Sequence, residues 1–302
     1  MQMPDLTRLI ALAAIWGASF IFMRIASPEI GAVNTAFLRV FFGFVGLALI
    51  LIAFRNKFDF KGKIRATLAL GIINSGIPFF MYCMAARTLP AGYSAILNAT
   101  TPLMGAFIGF AFFNEKMTPK RWIGAVLGLI GIVFITTTGG WHDTGDVLVG
   151  VAACLIATSC YGLAGYLTRR WITNKGGLDP KLVAFGSQIG ATVFLMPFFI
   201  GSVIENPDID WFQGKIWLSV ICVGFLCTSV AYIIYFKLIE TIGALRTLTV
   251  TFLIPIFAVI WGYLALSETI NEKFIIGSVI VCAAVWLVVS PEKTPAKKIL
   301  KV

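Results

Sequence analysis

Residues 102–124 read PLMGAFIGFAFFNEKMTPKRWIG, and residues 255–277 read PIFAVIWGYLALSETINEKFIIG. A shift of 153 residues aligns these segments without a gap, so that one Pro, two Gly, one Glu and one Lys coincide. Apolar composition alone does not place these residue types in register. The chain is therefore built from two related halves. The same shift also pairs Gly71 with Gly224, Tyr82 with Tyr235, Thr88 with Thr241, Ala91 with Ala244 and Val126 with Val279.

The composition indicates a membrane protein. Of the 302 residues, 59% are hydrophobic and 13% are charged, whereas a soluble domain has about 25% charged residues. The charges are clustered, and the runs between them are long enough to cross the ~30 Å hydrocarbon core as α-helices. The alternation of a membrane β-barrel is missing. We predict ten spans, at about 6–24, 34–54, 64–86, 90–113, 119–138, 147–168, 181–204, 215–237, 243–266 and 273–290.

The lysines and arginines predict the orientation of these spans. If the N-terminus is cytoplasmic, 19 of the 24 lie in cytoplasmic segments, because cytoplasmic loops carry the excess of positive charge. Both termini are then cytoplasmic, including the basic tail 291–302, and the loop 139–146 faces the other side. Basic residues that flank spans also argue against a nucleic-acid partner. The remaining five lysines and arginines are Arg24, Arg87, Lys215 and Lys273, on the other side of the membrane, and Arg39, within a span.

The two halves are predicted to have opposite orientations. The first five-helix unit covers residues 1–138 and the second covers 147–290. Because five is odd, the second unit must enter the membrane from the opposite side. Inverted repeats are typical of secondary transporters, whose binding site lies near the midplane between the repeats. The sequence thus predicts an all-α membrane protein with ten transmembrane helices, arranged as two inverted five-helix repeats around a central cavity.

The chain resembles the EamA-type transporters of the drug/metabolite transporter superfamily in several motifs. These are Trp16-Gly17-Ala18-Ser19-Phe20, Arg39, the run Pro102…Glu115-Lys116-Met117-Thr118…Gly124…Gly131, and its repeat Pro255…Glu268…Gly277. The resemblance implies ten helices in a bacterial inner membrane, with helices 1, 3, 4, 6, 8 and 9 around a cavity and helices 5 and 10 peripheral. Within that family the overall pattern of this sequence is most similar to bacterial exporters of amino acids, especially aromatic ones. The second half departs from the pattern, with Tyr161-Gly162 in place of Trp-Gly.

The charges inside the predicted spans limit the substrate. Mid-span carboxylates, which would mark a proton relay, are not predicted. A phosphorylated substrate would need several converging cations, and Arg39 is the one charge clearly inside a span. We therefore expect a neutral or zwitterionic substrate, moved without a proton gradient. The single histidine, His142, lies in a loop and the six cysteines lie in apolar spans, so no metal or cofactor is predicted.

The repeat also identifies candidate cavity residues, which are polar or aromatic side chains on the helices expected around the cavity. Ser94, Asn98 and Thr101 share one face of the fourth helix. Pro102 and Pro255 free backbone carbonyls, which a cavity tolerates. The full candidate set is Trp16, Arg39, Asn74, Ser75, Tyr82, Ser94, Asn98, Thr101, Tyr161, Thr228, Tyr232, Tyr235, Thr247 and Thr251.

Each candidate has a simpler structural interpretation. Ser and Thr often bond to their own helix, Tyr82 and Tyr235 suit an interfacial belt, and Arg39 suits helix-end carbonyls. Two glutamates, Glu115 and Glu268, lie at helix ends on opposite sides of the membrane. We expect them to cap helices or to pair with loops; the more specific alternative is that they latch a gate. A pocket lined by Trp, Tyr, Phe and Met side chains, with scattered hydroxyl groups, would suit an apolar or aromatic amino acid.

Other functions were compared with this one. An enzyme would need catalytic groups, but the sequence has no Gly-x-Ser-x-Gly motif and no intramembrane aspartate pair. A channel is compatible with an inverted repeat, and drugs, nucleobases or organic cations are alternative substrates. The expected partners are a small-molecule substrate and the lipid bilayer, for which a monomer suffices.

Overall fold

The computed structural model describes residues 3–138, 144–247 and 249–290, so His142 and the tail 291–302 lie outside it. Ten helical rods, α1 to α10, make up these ranges, which contain no strand. Their bounds are α1 Met3–Ile30, α2 Ala32–Ala53, α3 Ile64–Thr88, α4 Ala91–Phe112, α5 Pro119–Thr138, α6 Thr144–Trp171, α7 Pro180–Glu205, α8 Gly214–Ile242, α9 Ala244–Thr247 with Val250–Leu266, and α10 Glu272–Val289. A short 3-10 turn, Thr173–Lys175, follows α6.

The helices have the length and the surface of membrane spans. In the described ranges, nine of them are long and apolar enough to cross a membrane, and Val250–Leu266 is a shorter apolar helix. Their outward faces are apolar as well, since Leu49, Val126 and Val279 are 53–63% exposed. Such a surface is stable against lipid and unfavourable against water. The chain is a multi-pass, all-α membrane protein, as the sequence predicts.

The rods α1 and α8 run in opposite directions, and contacts at the two ends of the bundle show this. At one end, the Met3 end, Thr241 near the end of α8 donates to Asp5 of α1 at 3.0 Å. At the other, the Ile30 end, Lys215 of α8 pairs with Glu29 of α1 at 3.3 Å. The rod α6 also begins at the Ile30 end, because Gly150 near its start lies beside Thr88 and Leu89 at the end of α3, where Ala86 accepts a bond from Arg24 near the end of α1.

Contacts between the halves occur in matched pairs. The rod α1 packs on α9 and on α8, while α6 packs on α4 and on α3. Likewise α2 packs on α8, and α7 packs on α3. The two contacts of each pair are equivalent in the repeat. If every helix is exchanged with the helix five positions away in the chain, the α1–α9 contact becomes the α6–α4 contact, and the other pairs follow the same rule. The rods α5 and α10 pack chiefly on each other, as expected for peripheral helices.

Two rods widen into π-helix at corresponding places. The π stretches are Ile72–Gly76 in α3 and Cys222–Val230 in α8. In α3, Pro78 follows closely and cannot donate a backbone hydrogen bond to the preceding turn. In α8, the hydroxyl of Thr228 donates to the carbonyl of Val223, five residues earlier, at 3.0 Å. Single π turns often occur in helices near functional sites.

The rods α4 and α9 end in the same backbone structure. Asn114 and Ser267 have left-handed φ angles of 54° and 53°. The next residue, a glutamate in both halves, donates its N–H to the carbonyl six residues earlier, at 3.0 Å and 3.1 Å respectively. This bond ties the glutamate back to the last turns of its helix, in the same way in both halves. We call residues 109–115 the Glu115 corner and residues 262–268 the Glu268 corner.

Candidate functional site

Two pairs of aromatic rings join the halves at equivalent positions. Tyr82 of α3 stacks on Tyr161 of α6, with ring centroids 6.2 Å apart. Trp16 of α1 lies against Tyr235 of α8, with centroids 5.4 Å apart. Tyr82 and Tyr235 are repeat partners, as are Trp16 and Tyr161. Tyr82 and Tyr235 are therefore each paired with a candidate aromatic residue of the other half.

A glycine beside each of Trp16 and Tyr161 allows these contacts. A Cβ atom on Gly17 would lie 2.9 Å from the backbone nitrogen of Ala258 on α9. A Cβ atom on Gly162 would lie 2.8 Å from the Cα atom of Gly105 on α4. Both distances are shorter than side-chain carbons tolerate, so α1 approaches α9, and α6 approaches α4, only because these residues are glycines.

Tyr82 is the most highly connected candidate. Its hydroxyl donates to Oδ1 of Asn98 on α4 at 2.8 Å, and its ring meets the ring of Phe20 edge-on, with centroids 5.6 Å apart. Tyr82 is 2% exposed, which contradicts the interfacial-belt alternative for this residue. The bond also holds an amide beside two aromatic rings, at a place where α3, α4 and α6 meet.

The rod α4 is interrupted beside this bond. Its two segments are Ala91–Asn98 and Thr101–Phe112, and Pro102 follows the break. Because Pro102 has no N–H, it leaves the carbonyl of Asn98 without its helical donor. The hydroxyl of Thr101 donates to that carbonyl at 2.7 Å. The interruption of α9 differs from this, because it precedes Val250 and leaves Pro255 inside a continuous helix.

Arg39 of α2 is buried without an anionic partner. It is 6% exposed, and its guanidinium carbon lies 3.6 Å from the centroid of the Phe79 ring. Its Nη1 donates to Sδ of Met23 at 3.0 Å, while its buried Nε has no hydrogen-bond partner. Among the described residues no helix-end carbonyl accepts a bond from Arg39, and the Met23 sulfur is its one acceptor. Within the part of the chain that the structure describes, no carboxylate forms an ion pair with Arg39.

Tyrosines from both halves lie within electrostatic range of this charge. They are Tyr82 of α3, Tyr161 of α6 and Tyr232 of α8. Tyr232 is half-buried and its ring stacks on Phe236, with centroids 5.6 Å apart. The arrangement combines one buried cation with hydroxyl groups and aromatic faces, which together can accommodate an anionic group beside an apolar one.

Several other candidates have bonds that serve packing. Thr228 and Thr247 donate to carbonyls of their own chain segments, Val223 and Gly243, at 3.0 Å and 2.9 Å. Ser75 accepts a hydrogen bond from Nε2 of Gln188 on α7 at 3.1 Å. For these three residues the geometry agrees with the structural alternative.

The remaining three candidates are Ser94, Asn74 and Thr251. Ser94 is buried on α4 and lies close to Cys154 of α6. Asn74, in the π stretch of α3, and Thr251, in the first turn of Val250–Leu266, are half-buried. Thr251 is the repeat partner of Asn98, but its surroundings differ because the break in α9 falls elsewhere.

Sequence reasoning missed three residues of this region. Phe20, Met23 and Phe79 contact the candidate tyrosine or Arg39. A signal existed for two of them, since Phe20 and Met23 follow Trp16 at i+4 and i+7 and so share its face of α1. Phe79 could not be distinguished by spacing from the many other phenylalanines of the chain.

Cavities of about 390 and 420 Å³ lie at the Ile30 end of the bundle, away from the aromatic pairs. The first is bordered by the junction of α1 with α2, by Phe80, Met84 and Arg87 of α3, and by Asn206 after α7. The second is acidic, with Glu29, Glu205, Asp208 and Asp210 along its wall. Within the described ranges, His, Cys, Asp and Glu form no cluster of three that could hold a metal ion.

Comparisons with known proteins agree with this architecture. The profile of the EamA-like transporter family matches residues 6–137 and again residues 148–290. The uncharacterized transporter YoaV of Bacillus subtilis is 26% identical over 92% of this chain and 94% of its own length. The threonine/homoserine exporter RhtA of Escherichia coli is 27% identical over 89% of this chain and 85% of its own. One solved structure, 15% identical, superposes with a TM-score of 0.59 and covers 96% of this chain and 97% of its own.

Proposed function

Since this chain belongs to the EamA-like transporter family, we propose that it is a secondary transporter that exports amino acids with apolar or aromatic side chains across a bacterial cytoplasmic membrane. Substrate would bind between the halves, beside the two aromatic pairs. Alternating access would follow from two repeats of opposite orientation, and the matched contacts between the halves support this.

The unpaired charge of Arg39 is the observation that carries the proposal. A buried cation inside a membrane is costly unless an anion or a hydrogen-bond network compensates for it. The Phe79 ring contributes about 2 kcal/mol through a desolvated cation–π contact, and a thioether is a weak acceptor. A substrate carboxylate would supply the missing anion and would form two parallel bonds with the planar guanidinium.

The aromatic residues suit the rest of such a substrate. Tyr82 and Tyr161 offer ring faces that can pack on an apolar side chain or attract an ammonium group. The amide of Asn98, held by Tyr82, adds a polar contact. An amino acid carries a carboxylate, an ammonium and a side chain, and this set of residues has a partner for each. The similarity to a threonine/homoserine exporter supports the same substrate class.

The orientation of the protein is part of the proposal. The positive-inside bias places the Met3 end in the cytoplasm and the loop at 139–146 outside. Single cysteines at His142 and Lys297 would be labelled in intact cells with an impermeant thiol reagent. Labelling at position 142 but not at position 297 is expected, and equal labelling at both would contradict the orientation.

Counterflow into proteoliposomes would test the substrate class. Vesicles preloaded with unlabelled phenylalanine should accumulate labelled phenylalanine, with saturation and without an imposed pH gradient. Phenylalaninamide, which lacks the carboxylate, should not compete, and Arg39→Gln should abolish the distinction between the acid and the amide. If organic cations or nucleobases exchange and amino acids do not, the substrate assignment is wrong. A flux that is not stimulated from the far side would indicate a channel.

A further inference from the structure

The Glu268 corner is tied to the first half at the Ile30 end. The carboxylate of Glu268 accepts the backbone N–H of Ala91, the first residue of α4, at 3.0 and 3.2 Å to its two oxygens. The Nε atom of Arg24, on α1, lies 3.6 Å from the same carboxylate. Arg24 also donates from Nη1 to the carbonyl of Ala86 on α3 at 2.8 Å. One carboxylate thus connects the end of α9 to α1 and α4, and through Arg24 to α3.

These bonds are suited to holding one end of the bundle closed. A carboxylate at a helix N-terminus satisfies an unpaired N–H and interacts favourably with the helix dipole. The side chain of Glu268 is 16% exposed and that of Arg24 is 29% exposed, so solvent screens the pair only in part. The connection joins rods of opposite halves, and α1 cannot move away from α9 at this end without breaking it.

The Glu115 corner has the same backbone, but its carboxylate has a different partner in the other half. The carboxylate of Glu115 lies beside the hydroxyl of Tyr166 on α6, over the glycine at 109. Within the described residues Glu115 forms no ion pair. Arg169, on the same rod as Tyr166, is exposed and also has no ion-pair partner there.

The repeat supplies every part of a second connection at the Met3 end. Under the shift of 153 residues, Glu115 corresponds to Glu268, and the residue that corresponds to Ala91 is Ala244, at the start of α9. Under the offset that aligns Trp16-Gly17 with Tyr161-Gly162, Arg169 corresponds to Arg24. The groups that close the Ile30 end are therefore all present at the Met3 end, on the equivalent rods, and among the described residues Glu115 and Arg169 form no ion pair there.

We propose that Glu268 with Arg24 and Glu115 with Arg169 are alternating latches, of which one is engaged while the other is released. In the described conformation the Glu268 latch is closed. When it opens, the carboxylate of Glu115 exchanges the Tyr166 hydroxyl for Arg169 and for the N-terminus of α9. The inference rests on the transport function of the family and does not depend on which substrate is carried.

Crosslinking without substrate tests this directly. Glu115→Cys and Arg169→Cys are combined in the full chain, in lipid nanodiscs, after replacement of the six native cysteines. A bifunctional methanethiosulfonate is the probe, because an Arg–Glu pair holds its Cα atoms farther apart than a disulfide allows. We expect the crosslinked fraction to rise several-fold when Glu268→Gln is added, since the amide cannot pair with Arg24. The matched control is Glu115→Cys with Arg170→Cys, whose second cysteine points about 100° away around the helix.

Three outcomes would overturn the proposal. The Glu115→Cys and Arg169→Cys pair could fail to crosslink in either background, it could crosslink equally in both, or the Arg170→Cys control could rise to the same extent. Arg24→Gln releases the same latch from its other partner and must reproduce the effect, so a misfolded Glu268→Gln variant does not decide the result. Because the readout needs no substrate, a failed amino-acid counterflow assay leaves this test intact.

Discussion

The Glu115 and Glu268 corners have nearly the same backbone and different side-chain partners. Both begin at a buried glycine and turn through a left-handed residue, and in both the glutamate N–H bonds to the carbonyl six residues back. At one corner the carboxylate meets a cation and a helix N-terminus. At the other it meets a tyrosine hydroxyl. The local sequence sets the shape of a corner, and the packing of distant rods sets its partners.

The repeated sequence determines the backbone of each corner, whereas the conformation of the whole protein determines which side chains the glutamate meets. Local hydrogen bonds and φ angles depend on residues a few positions apart, so both halves form them. The Arg24–Glu268 contact depends on how α1 sits against α9, which can change when the halves move. A two-state element of this kind is what a coupling argument requires, and the predictions below test how far the corners differ.

The largest effect is expected from fixing the engaged latch. Arg24→Cys and Glu268→Cys, joined by the same bifunctional reagent, should abolish transport, because α1 and α9 can then no longer separate at the Ile30 end. Release with a reducing agent should restore it. The measurement is phenylalanine counterflow in proteoliposomes, and the two single-cysteine variants treated with the reagent are the controls. Full transport by the crosslinked protein would show that this end need not open.

A large effect on substrate affinity, without an effect on the latches, is expected from changes at Asn98 and Thr251. Asn98→Ala removes the acceptor of the Tyr82 hydroxyl and leaves that buried group unpaired, which should weaken substrate affinity by roughly 1–3 kcal/mol. Thr251→Ala, at the repeat position, should also weaken it. Val126→Ala, on the lipid-facing surface of α5, is the control. Neither site variant should change latch crosslinking, and normal transport by both would place the substrate elsewhere.

Much of this architecture could be predicted from the sequence, because it depends on composition and register. Long uncharged runs determine the helices, and the shift of 153 residues pairs Tyr82 with Tyr235. The roles of single hydroxyls could not be predicted. Thr228 and Ser75 are both buried, yet one bonds within its own rod and the other bonds to Gln188. Residue type and spacing are the same for a packing threonine and for a binding threonine.

The latch partners could not be predicted for a related reason. Arg24 and Glu268 are far apart in the sequence, and their approach depends on the packing of α1 on α9. The repeat did indicate where to look, since Glu115 and Glu268 coincide in register. The position of the break in α9 was not predicted, because Pro255 is accommodated inside a helix.

A smaller effect is expected from the glycines at which the corners begin. A Cβ atom on Gly262 would lie 2.5 Å from the Glu268 carboxylate, so Gly262→Ala should push that carboxylate off the Ala91 N–H. The loss of one charge-assisted bond, about 1 kcal/mol after compensation by solvent, should raise Glu115→Cys and Arg169→Cys crosslinking by about fivefold. Gly109→Ala would displace Tyr166 instead and should not raise it. Equal increases from both changes would mean that the two corners are equivalent.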